Sequence, residues 1–101
     1  MRILISGSQN FQNLDSVEFW LSLNFSTESD ILIINGETNV DALLEKWAID
    51  NDIAYESDLE DLNRSIVSVD KTIIFYDGKD PISMYIIGLA LKHKKHLEVL
   101  F

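Results

Sequence analysis

Arg2-Ile3-Leu4-Ile5-Ser6, Asp30-Ile31-Leu32-Ile33-Ile34-Asn35 and Lys71-Thr72-Ile73-Ile74-Phe75-Tyr76 decide the fold of this chain. Each is a short apolar run rich in isoleucine. A strand with one solvated face alternates apolar and polar residues, whereas a strand covered on both faces reads as an unbroken run. Three such runs predict a parallel sheet held between two layers of helices. Ile53-Ala54-Tyr55 and Leu97-Glu98-Val99-Leu100-Phe101 are weaker runs, expected at the sheet's edges.

Four helical patterns separate the runs. Val17, Trp20 and Leu21 share one face of the first, and Leu43, Leu44, Trp47 and Ala48 one face of the second. Leu59, Leu62, Ile66 and Val69 mark the third. It opens with Ser57-Asp58-Leu59-Glu60, the spacing of a capping box, where a hydroxyl and a carboxylate take up the unpaired N–H groups of a helix start. Asp80-Pro81 opens the fourth, with an acid at the cap and a proline where no donor is needed. Lys92-His93-Lys94-Lys95-His96 closes it with charge suited to a helix C-terminus. Phe19, Trp20, Phe25 and Trp47 recur at helical spacing and are expected mostly in the core.

The order βαβαβαβαβ with right-handed crossovers predicts a three-layer, doubly wound, Rossmann-like α/β sandwich. Its five-stranded, mainly parallel sheet occupies a single domain over residues 1–101. With strand order 3-2-1-4-5, the order reverses between the first and fourth strands. Ligands of open α/β sheets bind outside the carboxyl ends of strands at such a switch point. Residues 7–13 and 77–83, flanked by 36–41, are therefore the expected working surface.

Composition narrows the classes. A chain of 101 residues, 47% apolar with four Gly and one Pro, suits one globular core. It holds no cysteine, which excludes disulfides, thiolate catalysis and Cys-bound zinc and fits a reducing, cytoplasmic setting. The longest apolar run, residues 84–91, is too short to cross a bilayer, so no membrane role is expected. Seventeen acids against eight bases give a net charge of −9, which repels nucleic acid. Asp50, Asp52, Glu56, Asp58, Glu60 and Asp61 form a run without a base, either a solvated face or a docking surface for a basic protein partner.

The loops also carry a family likeness. Ile3-Leu4-Ile5-Ser6-Gly7-Ser8-Gln9-Asn10-Phe11 resembles the strand and G-S-R-x-aromatic opening of the SLOG superfamily, in particular its small YspA-like branch. Ile34-Asn35-Gly36-Glu37-Thr38-Asn39-Val40-Asp41 resembles that branch's H-G-x-x-x-G-x-D loop. Asn63 with Ile66 is similar to its R-N-x-x-M helix, and Ile74-Phe75-Tyr76-Asp77-Gly78-Lys79 to its I-A-F-W-D-G-K, which the family follows with R-G-T. The correspondence runs in order over essentially the whole chain. It implies a domain that binds nucleotides or nucleotide-derived ligands, holding phosphate on arginines and on backbone N–H groups at glycine turns and helix starts. Some branches hydrolyse a nucleotide's glycosidic bond.

Carried over residue by residue, the resemblance nominates Gly7, Ser8, Gln9, Asn35, Gly36, Asp41, Asp77, Gly78 and Ser83 as the ligand-binding set. The cations do not carry over. Gln9, Asn35 and Leu62 replace two arginines and a histidine, and Pro81-Ile82-Ser83 replaces R-G-T. Asn39 stands at a family glycine and is expected to keep a left-handed turn. Of the bases, only Lys79 and Arg64 are expected near a ligand, while Glu37, Asp41, Asp77 and Asp80 make the rim acidic. Polyphosphate would be repelled unless a divalent cation came with it.

These features lead to a binding domain for a nucleotide-derived or nucleoside-like small ligand, without catalysis and without a resident cofactor. No metal ligands are assigned, although the four rim carboxylates offer oxygen to Mg²⁺ or Ca²⁺. No catalytic residues are assigned, since His93 and His96 lie in a basic helix end away from any serine that needs a base. Local explanations compete throughout: a tight turn at Gly7-Ser8, a helix dipole at Asp41, an Asp-Gly turn at Asp77-Gly78 and a first-turn serine at Ser83. The alternatives are a degenerate acidic domain acting as a protein-interaction module or inhibitor, and a nucleotide glycosidic-bond hydrolase. The exposed part of residues 84–88 leaves a homo-oligomer open.

Overall fold

Five strands and four helices alternate along the chain in a computed structural model that describes residues 1–57 and 62–101. They are β1 (Arg2–Gly7), α1 (Leu14–Asn24), β2 (Ile31–Ile34), α2 (Asn39–Asp50), β3 (Tyr55–Ser57), α3 (Leu62–Ser68), β4 (Lys71–Phe75), α4 (Pro81–Lys92) and β5 (His96–Leu100). The strand order is β3-β2-β1-β4-β5 and every pair is parallel. The expected three-layer, Rossmann-like sandwich is therefore present, with its switch between β1 and β4. The expected capping box at residues 57–60, the Leu59 core position and the acids Asp58, Glu60 and Asp61 lie outside the described residues, Ser57 apart. Ser57 is exposed and closes β3.

The unbroken apolar runs reflect two cores, one on each side of the sheet. Ile3, Ile5, Leu32, Ile34, Ile73 and Phe75 pack with residues of α1 and α2. Leu4, Ile33 and Ile74 pack with Ile66, Val69, Ile86, Leu89 and Ala90 on the other side. Because successive side chains point to opposite faces, both parities must be apolar. Phe75 anchors the first core, with Phe11 and Trp20 edge-on to its ring at centroid distances of 5.6 and 6.4 Å.

Several expectations need correction. Phe19 is 66% exposed and is not core. It lies about 200° around α1 from Val17, off the stripe that Val17, Trp20 and Leu21 bury. Trp47 is half-buried, edge-on to Phe25. β3 begins at Tyr55 rather than Ile53, because the Ile53 N–H is spent on the Ala48 carbonyl at 2.8 Å in the turn leaving α2. The acidic run is also partly paired from outside itself. Lys46 reaches Asp50 at 3.4 Å, and Arg2 clasps Glu56 through both guanidinium NH2 groups at 2.8 and 3.3 Å. These exposed pairs add at most about 1 kcal/mol each. Among the described residues, no helix is long and apolar enough to cross a membrane.

One flaw sits inside the sheet. Thr72 of β4 is fully buried and its Oγ1 has no hydrogen-bond partner among the described residues. A buried hydroxyl left unsatisfied costs about 1–3 kcal/mol. Thr72→Val, which replaces the hydroxyl with a methyl group of the same shape, should raise the unfolding free energy by about 1 kcal/mol in urea denaturation.

Candidate functional site

The carboxyl ends of β1 and β2 and the starts of α2 and α4 enclose a cleft of about 150 Å³. Ser6, Gly7 and Gln9 form one wall, Asn35, Gly36, Glu37, Thr38 and Asp41 another, and Asp80, Ile82 and Ile86 the third. A shallower depression of about 440 Å³ adjoins it, sharing Gln9 and Asp80 and adding Asn10, Asp77, Lys79 and Pro81. Of the nine residues nominated from the sequence, Gly7, Gln9, Asn35, Gly36 and Asp41 line the cleft, and Asp77 the adjoining depression. Ser8, Ser83 and Gly78 line neither.

The two cleft glycines serve the protein's own packing. A Cβ on Gly7 would overlap the Val40 side chain, and one on Gly36 would stand 2.5 Å from Asp41 Oδ2. Both are close-approach positions at which the start of α2 seats against the strand ends. Gly78, by contrast, has φ of 88° and open space around it, so its glycine answers to backbone conformation alone. Asn39 is the first residue of α2 and is not left-handed, contrary to the expectation drawn from the family glycine. The turn there is made instead by the capped helix start.

Ser8 and Ser83 are joined to each other. Both are 1% exposed, and their Oγ atoms lie 2.9 Å apart. Ser8 Oγ also accepts the Asp77 N–H at 3.1 Å, and the Ser8 N–H donates to the Phe75 carbonyl at 2.9 Å. One serine thus ties the loop after β1 to the loop after β4 and to the first turn of α4. Asp77 accepts the N–H groups of Lys79 and Asp80 at 2.8 and 2.9 Å, and these hold its carboxyl below the usual carboxylate range. Asp80 caps α4 by accepting the Ser83 N–H at 2.8 Å. The local explanations account for Ser8, Ser83, Asp77 and Asp80.

Asp41 is different. It is 3% exposed and forms a capping box with Thr38: Asp41 Oδ2 accepts the Thr38 N–H and hydroxyl at 3.0 and 2.7 Å, while Thr38 Oγ1 accepts the Asp41 N–H. Thr38-x-x-Asp41 has the spacing of such a box in the sequence, with Asp in place of the usual Glu or Gln. The other oxygen, Oδ1, is buried without a partner among the described residues. Burial raises the Asp41 pKa, and the Thr38 bonds offset this only in part.

Around the cleft, carboxylates outnumber bases. Glu37, Asp41 and Asp80 line it, and Lys79 reaches only the adjoining depression. Arg64 lies on α3 and lines neither. His93 meets Asn63 at 2.9 Å and His96 meets Glu98, both at the opposite end of the sheet. A phosphate oxygen about 4 Å from one carboxylate is repelled by about 4 kcal/mol at an effective dielectric of 20. A helix N-terminus returns only about 0.3–1 kcal/mol. Repulsion wins. Among the described residues, no three His, Asp or Glu side chains gather as a metal-binding group.

Two consequences can be measured. Thr38→Ala removes the cap of α2 and should cost about 1 kcal/mol of unfolding free energy. The folded protein holds the Asp41 proton more tightly than the unfolded chain does, so ionising Asp41 weakens the fold. That cost is fully present above the raised pKa and gone below the ordinary carboxylate range. In urea titrations from pH 7 down to about 3, wild type should therefore gain stability relative to Asp41→Asn; a constant difference would show that Asp41 is not perturbed.

No protein-family model matches this sequence, and no curated protein matches it.

Proposed function

We propose that this chain is a small-molecule binding module of SLOG type, without catalysis, whose ligand is nucleoside-like and carries little or no negative charge. The observation that carries the reading is the buried Oδ1 of Asp41, unpaired among the described residues, in a residue that lines the switch-point cleft. A ligand hydroxyl or amine that donates to this oxygen recovers hydrogen bonding worth about 1–3 kcal/mol. An ionised phosphate oxygen, which has no proton to donate, cannot do so. A sugar diol suits the need, and a phosphate does not.

Shape supports the same reading. Ligand pockets usually span about 300–1,000 Å³. The cleft, at about 150 Å³, holds one ring at most, and the adjoining depression across Gln9 and Asp80 provides the remaining room. Ile82 and Ile86 give the cleft an apolar wall for a ring face. A non-catalytic role is favoured because Asp77 and Asp80 are already occupied as backbone acceptors and both histidines lie at the far end of the sheet.

Amide spectra of the ¹⁵N-labelled protein test this directly, with adenosine, uridine, ADP-ribose and ATP added in turn, each with and without Mg²⁺. Shifts are expected at Gly7, Gln9, Gly36 and Glu37, with nucleosides binding at least about tenfold more tightly than ATP, the equivalent of 1.4 kcal/mol. Asp41→Ala should abolish them. The absence of shifts with every ligand at millimolar concentration overturns the proposal.

A further inference from the structure

The outer face of α4 is left uncovered among the described residues. Not one charged side chain occurs from Pro81 to Leu91. One side of the helix is buried through Ser83, Ile86, Leu89 and Ala90. On the other, Met84, Tyr85 and Leu91 are each about 60% exposed, and none of them lines the cleft. A helix that is apolar all round belongs inside a structure, and one at the surface has a partner. Gly88 lies among these side chains. Helical glycine costs about 1 kcal/mol relative to alanine, and a Cβ there would meet nothing within 4 Å. The single chain has no need of glycine at this position, whereas a second helix crossing there at close range does.

We infer that α4 docks antiparallel against α4 of a second copy, with the two-fold axis at Gly88. Charge selects this occupant. The far end of α4 carries Lys92, Lys94 and Lys95, and its near end carries Asp77 and Asp80 with one base, Lys79. An antiparallel crossing at Gly88 sets Lys92 of each copy beside Met84 of the other, about 6 Å from the axis. It brings the three lysines toward the acids that open the opposite helix, and it also opposes the two helix dipoles. A parallel pair would stack lysine on lysine. Two chains of net charge −9 repel one another, but at physiological salt that repulsion is screened beyond about 8 Å, so the charges nearest the crossing govern.

The chain has no cysteine, which makes single-cysteine mapping clean. In sedimentation equilibrium the unmodified protein should be a dimer at micromolar concentration. Gly88→Cys should cross-link to itself under mild oxidation, because residues on the axis meet within disulfide range. Phe19→Cys, exposed on α1, should not. Met84→Cys should link to Lys92→Cys when the two variants are mixed, and Tyr85→Glu should weaken the dimer at least about tenfold, the equivalent of 1.4 kcal/mol. A protein that stays monomeric to millimolar concentration overturns the inference. So does a dimer that ignores Tyr85→Glu, or one in which Met84→Cys links to itself rather than to Lys92→Cys. None of these readouts depends on the cleft or its ligand.

Discussion

Gly7 ends the central strand without a side chain, and Val40 fills the space a side chain would need. This close approach fixes how near the start of α2 comes to β1. The position of Thr38 and Asp41 follows, because they cap the same helix end. So does the width of the cleft, since Gly7 at the end of β1 and Gly36 just beyond the end of β2 both line it. Interiors are packed too densely for such a contact to loosen by a methyl group without moving a helix.

Beside that contact, the loops at the switch point are fastened by polar groups as well as by the burial of Phe11 against Phe75. Ser8, Ser83, Asp77 and Asp80 form one connected set that joins β1, β4 and α4. A surface usually free to meet a ligand is here largely occupied in holding itself together. Asp41 is the exception, since its second oxygen finds no donor in the described structure. The two perturbed acids of the region also differ in sign. Backbone N–H groups favour charged Asp77, while burial disfavours charged Asp41.

The central strands were legible because burial on both faces leaves short, isoleucine-rich apolar runs bounded by polar residues. The cap at Asp80-Pro81 and the stripe Val17, Trp20, Leu21 were legible for a similar reason, each being local. Ile53 was misplaced because an apolar residue is buried alike in a strand or in a tight turn, and only its hydrogen bond tells them apart. Phe19 shows the converse, since hydrophobicity does not state which way a side chain points. The site was less legible still. Ser8 meets Ser83 across 75 positions, and Gly7 meets Val40 only once the helix is in place. Such pairings leave no short-range pattern. The five cleft residues expected from the sequence came from the family resemblance, and four of them, Gly7, Gln9, Gly36 and Asp41, also fall in the loops that strand order brings to the switch point.

The parallel pairing of β1 with β4 has a consequence for synthesis. β1 sits between β2 and β4, and its register joins Ile3 to Lys71 and Gly7 to Phe75. As the chain emerges from a ribosome, β2 is available by residue 34, while β4 is complete only at residue 75. At about 5–20 residues per second, one flank of the innermost strand stays open for about 2–8 s. An unpaired, isoleucine-rich strand edge invites pairing with other nascent chains. Vectorial folding of this domain therefore passes through a half-built sheet that needs shielding, and slower translation lengthens that exposure.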